Sequence, residues 1–129
     1  MRLTPALIVR LAAAPLAALA FMPGAAQAQE SIPASGIYKT GQQIYDMCTS
    51  KNDADVTACE YFLMATHDTI IYYQDIGELD KTICVPNGTN SEVIRGVAVD
   101  YWRSNPNSRK YSAVSSFRNA LVARYPSPC

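Results

Sequence analysis

The sequence is poor in the residues and motifs from which catalytic and metal sites are built. It contains a single histidine, His67, and no C-x-x-C pair, which disfavours a zinc site. It also lacks G-x-S-x-G, H-E-x-x-H and a glycine-rich phosphate loop. Cys59 lies about 12 Å from His67 along one predicted helix, and the adjacent Asp68 points about 100° away, so neither is expected to pair with the histidine. The sequence therefore predicts a protein that is not an enzyme and that has no cofactor or metal.

Long apolar runs are missing as well, and the one short run lies near the start of the chain. Residues 11–22 are mostly apolar, whereas a span across a bilayer needs about 20 consecutive apolar residues. The run follows Arg2 and Arg10 and precedes a small-x-small sequence that ends at Ala28. This order is typical of a secretory signal peptide. We therefore expect residues 1–28 to be removed after Ala28, and the remaining protein to be exported and free of the membrane.

No block of like charge is present either. Nine of the eleven Lys and Arg residues and all eleven Asp and Glu residues follow Ala28, which leaves a net charge of −2. This balance offers no basic surface for nucleic acid.

The roughly 100 residues after the signal peptide fit one domain. We divide them into a loosely ordered leader, residues 29–40, and a single folded domain, residues 41–129.

Helical periodicity runs through most of residues 41–129, and no segment alternates for long enough to predict a strand. The spacing predicts a first helix over residues 41–50 and a second from Ala54 to Asp75, with Asp53 as its N-cap. A third helix is predicted to begin after a capping box of Thr89 and Glu92 and to end near Asn105. A fourth helix is predicted to follow and to end at Pro126. The predicted core residues of the last two helices are Val93, Ile94, Val97, Ala98, Tyr101, Trp102, Tyr111, Val114, Phe117, Leu121, Val122 and Tyr125. The fold class is therefore all-α, a small four-helix bundle.

The second predicted helix is apolar on more than one face. One set of apolar residues recurs at steps of three and four, and Tyr61, Met64 and Ile71 fall on other sides of the same helix. A helix with this pattern is normally central in its fold or lies in an interface.

All four cysteines follow the signal peptide: Cys48, Cys59, Cys84 and Cys129. An even number in a small exported domain predicts two disulfides, but the count alone permits three pairings. An antiparallel hairpin of the first two helices, with its turn near residues 51–53, would bring Cys48 next to Cys59. Cys84 and Cys129 are then the second pair, and their bond would tie down the end of the domain.

Two surface segments are candidates for binding a partner. Tyr72 and Tyr73 are consecutive near a helix end, so one is expected to pack in the core and the other to face solvent or a partner. Asp75 begins a run of carboxylates that is either a solvated loop or an acidic contact patch. The polar turn between helices three and four is the other candidate, because loops on rigid scaffolds often carry recognition. Its candidate contact residues are Ser104, Asn105, Asn107, Arg109 and Lys110.

The order of these elements resembles a known family. The elements are the segment CEYFLMATHD from Cys59, the segment CVPNG from Cys84, an Asn-Pro turn, and an aromatic-Pro ending closed by Cys129. Together they are similar to the Rap/Tai family of type VI secretion immunity proteins, over residues 41–129. Two features depart from the family pattern: Ala65 replaces a common glycine, and two further residues separate Pro126 from the last cysteine.

The resemblance implies a function without catalysis. Members are periplasmic proteins that bind and block a toxic effector, typically a peptidoglycan amidase, and thereby protect the producing cell, so the resemblance implies that this chain is periplasmic. We therefore expect a cognate effector as partner, and a homodimer because many members are dimeric. The alternative is a small periplasmic chaperone of the acid-stress type, which would have to expose apolar surface on acidification. With one histidine, this chain has a single side chain whose unperturbed titration lies near neutrality.

Overall fold

The computed structural model describes residues 36–129. They form α1 (Gly41–Cys48), α2 (Asp53–Asp75), α3 (Ser91–Ser104), a short 3-10 helix (Pro106–Lys110) and α4 (Ala113–Arg124). Extended pairing in this part of the chain is limited to two isolated antiparallel bridges. The predicted all-α bundle of four helices is thus confirmed, with a 3-10 helix added between α3 and α4. The predicted signal peptide and its cleavage site lie outside the described residues.

The predicted N-caps of α2 and α3 are each displaced by one residue. Asn52 rather than Asp53 caps α2, and its side-chain oxygen accepts a hydrogen bond at 2.9 Å from the N–H two residues further on. Asn90 rather than Thr89 caps α3, and its side chain accepts from the N–H three residues further on, also at 2.9 Å. Asparagine serves well at both positions because its short side chain reaches the unpaired N–H groups of the first turn.

The core lies where α1, α3 and α4 pack against α2. Its largest fully buried side chains are Trp102, Phe117, Ile44, Leu63 and Leu121. Three of the predicted core residues are exposed instead: Val93 and Val114 at 46% each, and Tyr111 at 37%. Val93 and Val114 are exposed because they lie beside the faces of their helices that point into the core. Tyr111 is exposed because it precedes α4 and is not part of that helix.

Both predicted disulfides are present, with Cα–Cα distances of 5.2 Å for Cys48–Cys59 and 5.3 Å for Cys84–Cys129. The first lies in the core, because Cys48 is 3% exposed and Cys59 is fully buried. The second joins the exposed end of the chain to the segment that precedes α3. Two backbone hydrogen bonds support it: the N–H of Cys84 donates to the Tyr125 carbonyl at 2.9 Å, and that of Ser127 donates to the Thr82 carbonyl at 3.2 Å.

The folded domain begins before Gly41. The N–H of Ala113 donates to the carbonyl of Lys39 at 3.1 Å, and the N–H of Gly41 donates to the carbonyl of Tyr111 at 2.8 Å. Lys39 and Thr40, which the sequence assigned to the leader, are therefore tied to the segment that joins the 3-10 helix to α4. This attachment fixes the start of α1 against that segment.

Candidate binding surfaces

Residues 104–110, which we call the prong, connect α3 to α4 and project polar side chains. Ser104, Asn105, Asn107 and Lys110 are exposed. Hydrogen bonds within the segment brace it: the N–H and the hydroxyl of Ser108 both donate to the carbonyl of Asn105, at 2.9 and 2.7 Å. The prong is therefore a turn braced by its own hydrogen bonds, in the place where the sequence predicted a polar turn.

Arg109 differs from the other predicted contact residues of the prong. It is half-buried, and its guanidinium carbon lies 4.4 Å from the centroid of the Tyr45 ring on α1. A guanidinium at this distance over an aromatic face makes a cation–π interaction. Tyr45 in turn packs edge-on against Trp102, with 6.5 Å between ring centroids. Arg109 thus holds the base of the prong to α1, whereas the other predicted contact residues of the prong are exposed.

A buried hydrogen bond beneath the prong joins α3 to α4. The indole N–H of Trp102 donates to the hydroxyl of Ser116 at 3.0 Å, and that hydroxyl donates to the carbonyl of Ser112 at 3.0 Å. Both Trp102 and Ser116 are fully buried. Sequence reasoning missed Ser116, although a serine among apolar core positions of a helix is a signal, because its hydroxyl can bond the carbonyl four residues earlier.

The tyrosines at the end of α2 do not divide between core and solvent as predicted. Tyr72 is 59% exposed and Tyr73 is 44% exposed, and their ring centroids lie 5.5 Å apart. The core position belongs to Gln74, which is 4% exposed. Its amide donates to the Ile83 carbonyl at 3.4 Å and accepts from the Thr82 N–H at 3.1 Å. The prediction that one of the two tyrosines packs in the core is wrong. The buried face of α2 contains Gln74 instead, and the side chain of Gln74 supports the linker to α3.

Asp75 completes a surface that we call the tyrosine patch, made of Tyr72, Tyr73 and Asp75. The carboxylate of Asp75 lies 3.9 Å from the ammonium of Lys81, and both side chains are about two-thirds exposed. A pair this open to water contributes little free energy, so the carboxylate is available to a partner. Within residues 36–129 the 3-10 helix makes no contact with α2. The 3-10 helix of the prong therefore does not pack against the helix that carries the tyrosine patch.

A groove of about 460 Å³ between α3 and α4 continues from the prong. Ser104 and Asn105 line it together with the exposed Val93. Tyr101 also lines it, and burial raises the pKa of the Tyr101 phenol above its ordinary value, while a hydrogen bond with Asn119 acts in the opposite direction. The groove thus adds apolar surface beside the polar residues of the prong.

His67 contacts its neighbour Asp68, which the sequence did not lead us to expect. Its Nδ1 lies 3.1 Å from an oxygen of the Asp68 carboxylate, because the exposed aspartate side chain turns towards the ring.

In the described part of the chain, no group of three or more His, Cys, Asp or Glu is placed to hold a metal ion. Among the same residues, no helix combines the length and the apolar character that crossing a bilayer requires.

Comparison with known proteins identifies one relationship. A sequence-family model described as Rap1a immunity proteins matches residues 40–129. No curated protein and no solved structure matches the chain. The matched range begins at the residue that caps α1 and ends at the cysteine of the second disulfide. It therefore contains all four helices, both disulfides and the prong.

Proposed function

Because the chain belongs to the Rap1a immunity protein family, we propose that it binds a toxic effector of a type VI secretion system in the periplasm and thereby protects the producing cell. The effector that we propose is a peptidoglycan amidase. Inhibition requires binding only, since a protein that covers an active site needs no catalytic group of its own. The observation that carries this proposal is the family match over residues 40–129.

The disulfides support action outside the cytoplasm. Two disulfides in a domain of about 90 residues are typical of proteins that fold in an oxidising compartment such as the periplasm. The N-terminal sequence that ends at Ala28 has the order of an export signal. An exported immunity protein would meet its effector at the cell wall, where an amidase acts.

We assign the effector contact to the prong. Its exposed polar side chains stand on a base fixed by Arg109, Tyr45 and Gly41. A segment that is already rigid loses little conformational entropy when it binds, and this raises affinity. Lys110 gives the prong a positive charge, which suits an effector surface with carboxylates at its rim. In this arrangement the prong would cover the effector's active site, and the groove beside it would take apolar side chains.

The tyrosine patch is the alternative contact surface. Its two aromatic rings and the Asp75 carboxylate offer the combination of apolar area and polar tips that is enriched in interface cores. Since the patch and the prong share no residue, substitutions in the two sets distinguish the assignments.

The test is to produce the mature chain together with the secreted toxin encoded beside its gene. We expect the two proteins to copurify and the chain to protect cells that carry the toxin in the periplasm. Lys110→Glu on the prong should weaken binding about tenfold or more. Lys51→Glu, the same charge change at an exposed residue that precedes α2, is the matched control and should bind as the wild type does.

Two outcomes would contradict these assignments separately. Failure of the wild-type chain to bind or protect would remove the immunity function. Normal protection by the Lys110→Glu variant, together with loss of binding in Tyr73→Ala, would leave that function intact and move the contact to the tyrosine patch.

A further inference from the structure

Gly96 lies inside α3, where nothing in the fold itself requires glycine. It is exposed, and a β-carbon built on it would have no neighbour within 4 Å. Among the described residues, positive φ angles occur at Gly36, Gly77 and Gly88, so the backbone at Gly96 is one that any residue adopts. Glycine destabilises the interior of a helix relative to alanine. The missing side chain therefore leaves open surface on α3 at a cost in stability, which favours contact with another molecule at this point.

Two cavities meet at Gly96. One is the groove between α3 and α4, which reaches the prong at Ser104 and Asn105. The other, which we call the arginine pocket, also measures about 460 Å³ and lies between α3 and the turn after α1. Gly96 lines both cavities, so a bound chain that follows the groove can cross α3 there without meeting a side chain.

The two cavities offer different chemistry. The groove contains four apolar residues: Val93, Val97, Ala120 and Ala123. The polar side chains of the arginine pocket are Thr49, Ser50, Glu92, Arg95 and Arg103. Over both cavities, three arginines outnumber two carboxylates: Arg95, Arg103 and Arg124 against Glu92 and Asp100. The surface around Gly96 therefore suits a partner that has an apolar side chain on one side of the crossing and a carboxylate on the other.

Arg95 is held in position by the fold. Its Nε lies 3.1 Å from one carboxylate oxygen of Glu60 on α2, and the other Glu60 oxygen accepts a hydrogen bond from the Ser91 hydroxyl at 2.7 Å. The side chains of Arg95 and Glu60 are each only about a quarter exposed. A guanidinium has five N–H donors, so a contact at Nε leaves donors for a second carboxylate in the pocket that Arg95 lines.

Arg103 is available to a partner in a different way. Its guanidinium lies 3.0 Å from a carboxylate oxygen of Asp100, but the two side chains are 64% and 76% exposed. An ion pair this open to water contributes little free energy. Arg103 can therefore exchange Asp100 for a carboxylate of a bound molecule at little cost.

We infer that the effector lays an extended segment across α3 at Gly96, with an apolar side chain in the groove and a carboxylate in the arginine pocket. The inference rests on the proposed function, because its partner is the effector, and it names the chemistry of the segment that binds. The groove is continuous with the prong at Ser104 and Asn105, so an effector that binds the prong is already next to the crossing.

The width of α3 sets the spacing within the effector segment. A helix is about 10 Å across, and an extended chain advances about 3.3 Å per residue. The apolar residue and the Asp or Glu of the effector therefore lie about three residues apart, with small residues between them where the chain passes over Gly96.

The first test closes the crossing. Isothermal titration calorimetry measures the affinity of the mature chain for the secreted toxin encoded beside its gene. Gly96→Leu should raise the dissociation constant at least about tenfold, because the new side chain occupies the path of the segment. Ala58→Leu is the matched control, because it adds a leucine at an exposed residue of α2, and among the described residues α2 lines neither cavity. Circular dichroism confirms that both variants are folded.

Gly96→Ala separates a binding role from a structural one. The added methyl group should raise the stability of α3 and should also weaken effector binding, by a smaller factor than leucine does. Opposite changes in the unfolding midpoint and in affinity are expected only if the effector passes over Gly96. A gain in stability with unchanged affinity would contradict the crossing.

The second test examines the charge of the segment. Arg103→Glu should weaken effector binding at least about tenfold, because it places a carboxylate against the carboxylate of the effector. Asp100→Asn should strengthen binding, because Asp100 competes for Arg103 and repels an acidic segment. Lys81→Glu, a charge reversal at an exposed lysine outside both cavities, is the matched control and should bind as the wild type does.

The outcomes distinguish this inference from the proposed function. Wild-type affinity in Gly96→Leu, or equal losses in Gly96→Leu and Ala58→Leu, would overturn the crossing and leave the immunity function intact. Wild-type affinity in Arg103→Glu, or weaker binding by Asp100→Asn, would overturn the acidic segment. A wild-type chain that neither binds the toxin nor protects against it would remove both the function and the inference.

Discussion

Gly41 lies directly against Arg109, at the point where α1 meets the prong. A β-carbon on Gly41 would come within 2.9 Å of the Arg109 Cα and within 2.9 Å of the Ser116 hydroxyl oxygen. Only glycine allows the two segments to approach this closely. Since Arg109 also stacks on Tyr45, the first two turns of α1 are the support that fixes the position of the prong.

Replacing Gly41 with alanine should therefore destabilise the domain. The new β-carbon would meet backbone that cannot move independently, and overpacking of this kind costs about 1–3 kcal/mol. Gly96→Ala is the matched control, because a β-carbon there has no neighbour within 4 Å. Alanine should stabilise that position by about 0.5–1 kcal/mol, since glycine is unfavourable inside a helix. Urea unfolding of both variants measures the difference, and equal free energies of unfolding would contradict the contact.

Gln74 and Tyr73 are neighbours with opposite expected roles. Gln74→Ala should lower the free energy of unfolding by about 1–3 kcal/mol, because it leaves the partly buried Thr82 N–H without its acceptor and opens space under the linker. Tyr73→Ala should change stability by less than about 0.5 kcal/mol, since Tyr73 is exposed and lies outside the core. Thermal unfolding of the two variants, compared with that of the wild type, measures the two changes in stability. A larger loss from Tyr73→Ala would restore the sequence-based expectation that a tyrosine occupies the core.

These two neighbours also show how far the sequence alone could predict the structure. The number of helices follows from local periodicity, and the Cys48–Cys59 pair follows from a short hairpin. The burial of Gln74 could not be predicted in the same way. Because α2 carries apolar residues on several faces, its periodicity does not say which face points inwards, and the linker that needs the glutamine amide reaches it only in the folded chain.

The candidate binding surfaces also contain one feature that the sequence predicts and one that it does not. Pro106 and the polar residues around it predicted the prong, because the turn is a local feature of the chain. The stacking of Arg109 on Tyr45 joins segments that are far apart in sequence, so it became visible only in the structure. The breaks in helical geometry are encoded locally, whereas the choice between an exposed and a packed side chain depends on tertiary contacts.

Ser116→Ala should disturb the environment of the single tryptophan. The substitution leaves the buried indole N–H of Trp102 without a hydrogen-bond acceptor, which costs about 1–3 kcal/mol. Since Trp102 is the only tryptophan in the chain, its fluorescence reports both the native environment and unfolding. Ser104→Ala, at an exposed position, should change neither the emission maximum nor the unfolding midpoint. An unchanged spectrum and midpoint in Ser116→Ala would show that this hydrogen bond contributes nothing.

The two disulfides should differ in how readily they are reduced in the folded protein. Thiol–disulfide exchange requires a thiolate to reach one of the two sulfur atoms. Cys48 and Cys59 are buried at 3% and 0% exposure, whereas Cys129 is exposed. Mild reduction followed by alkylation and peptide mass analysis should therefore label Cys84 and Cys129 first. After unfolding in denaturant, all four cysteines should be labelled at similar rates. Simultaneous labelling of all four in the native protein would mean that the core pair opens as easily as the terminal pair, which its burial between α1 and α2 contradicts.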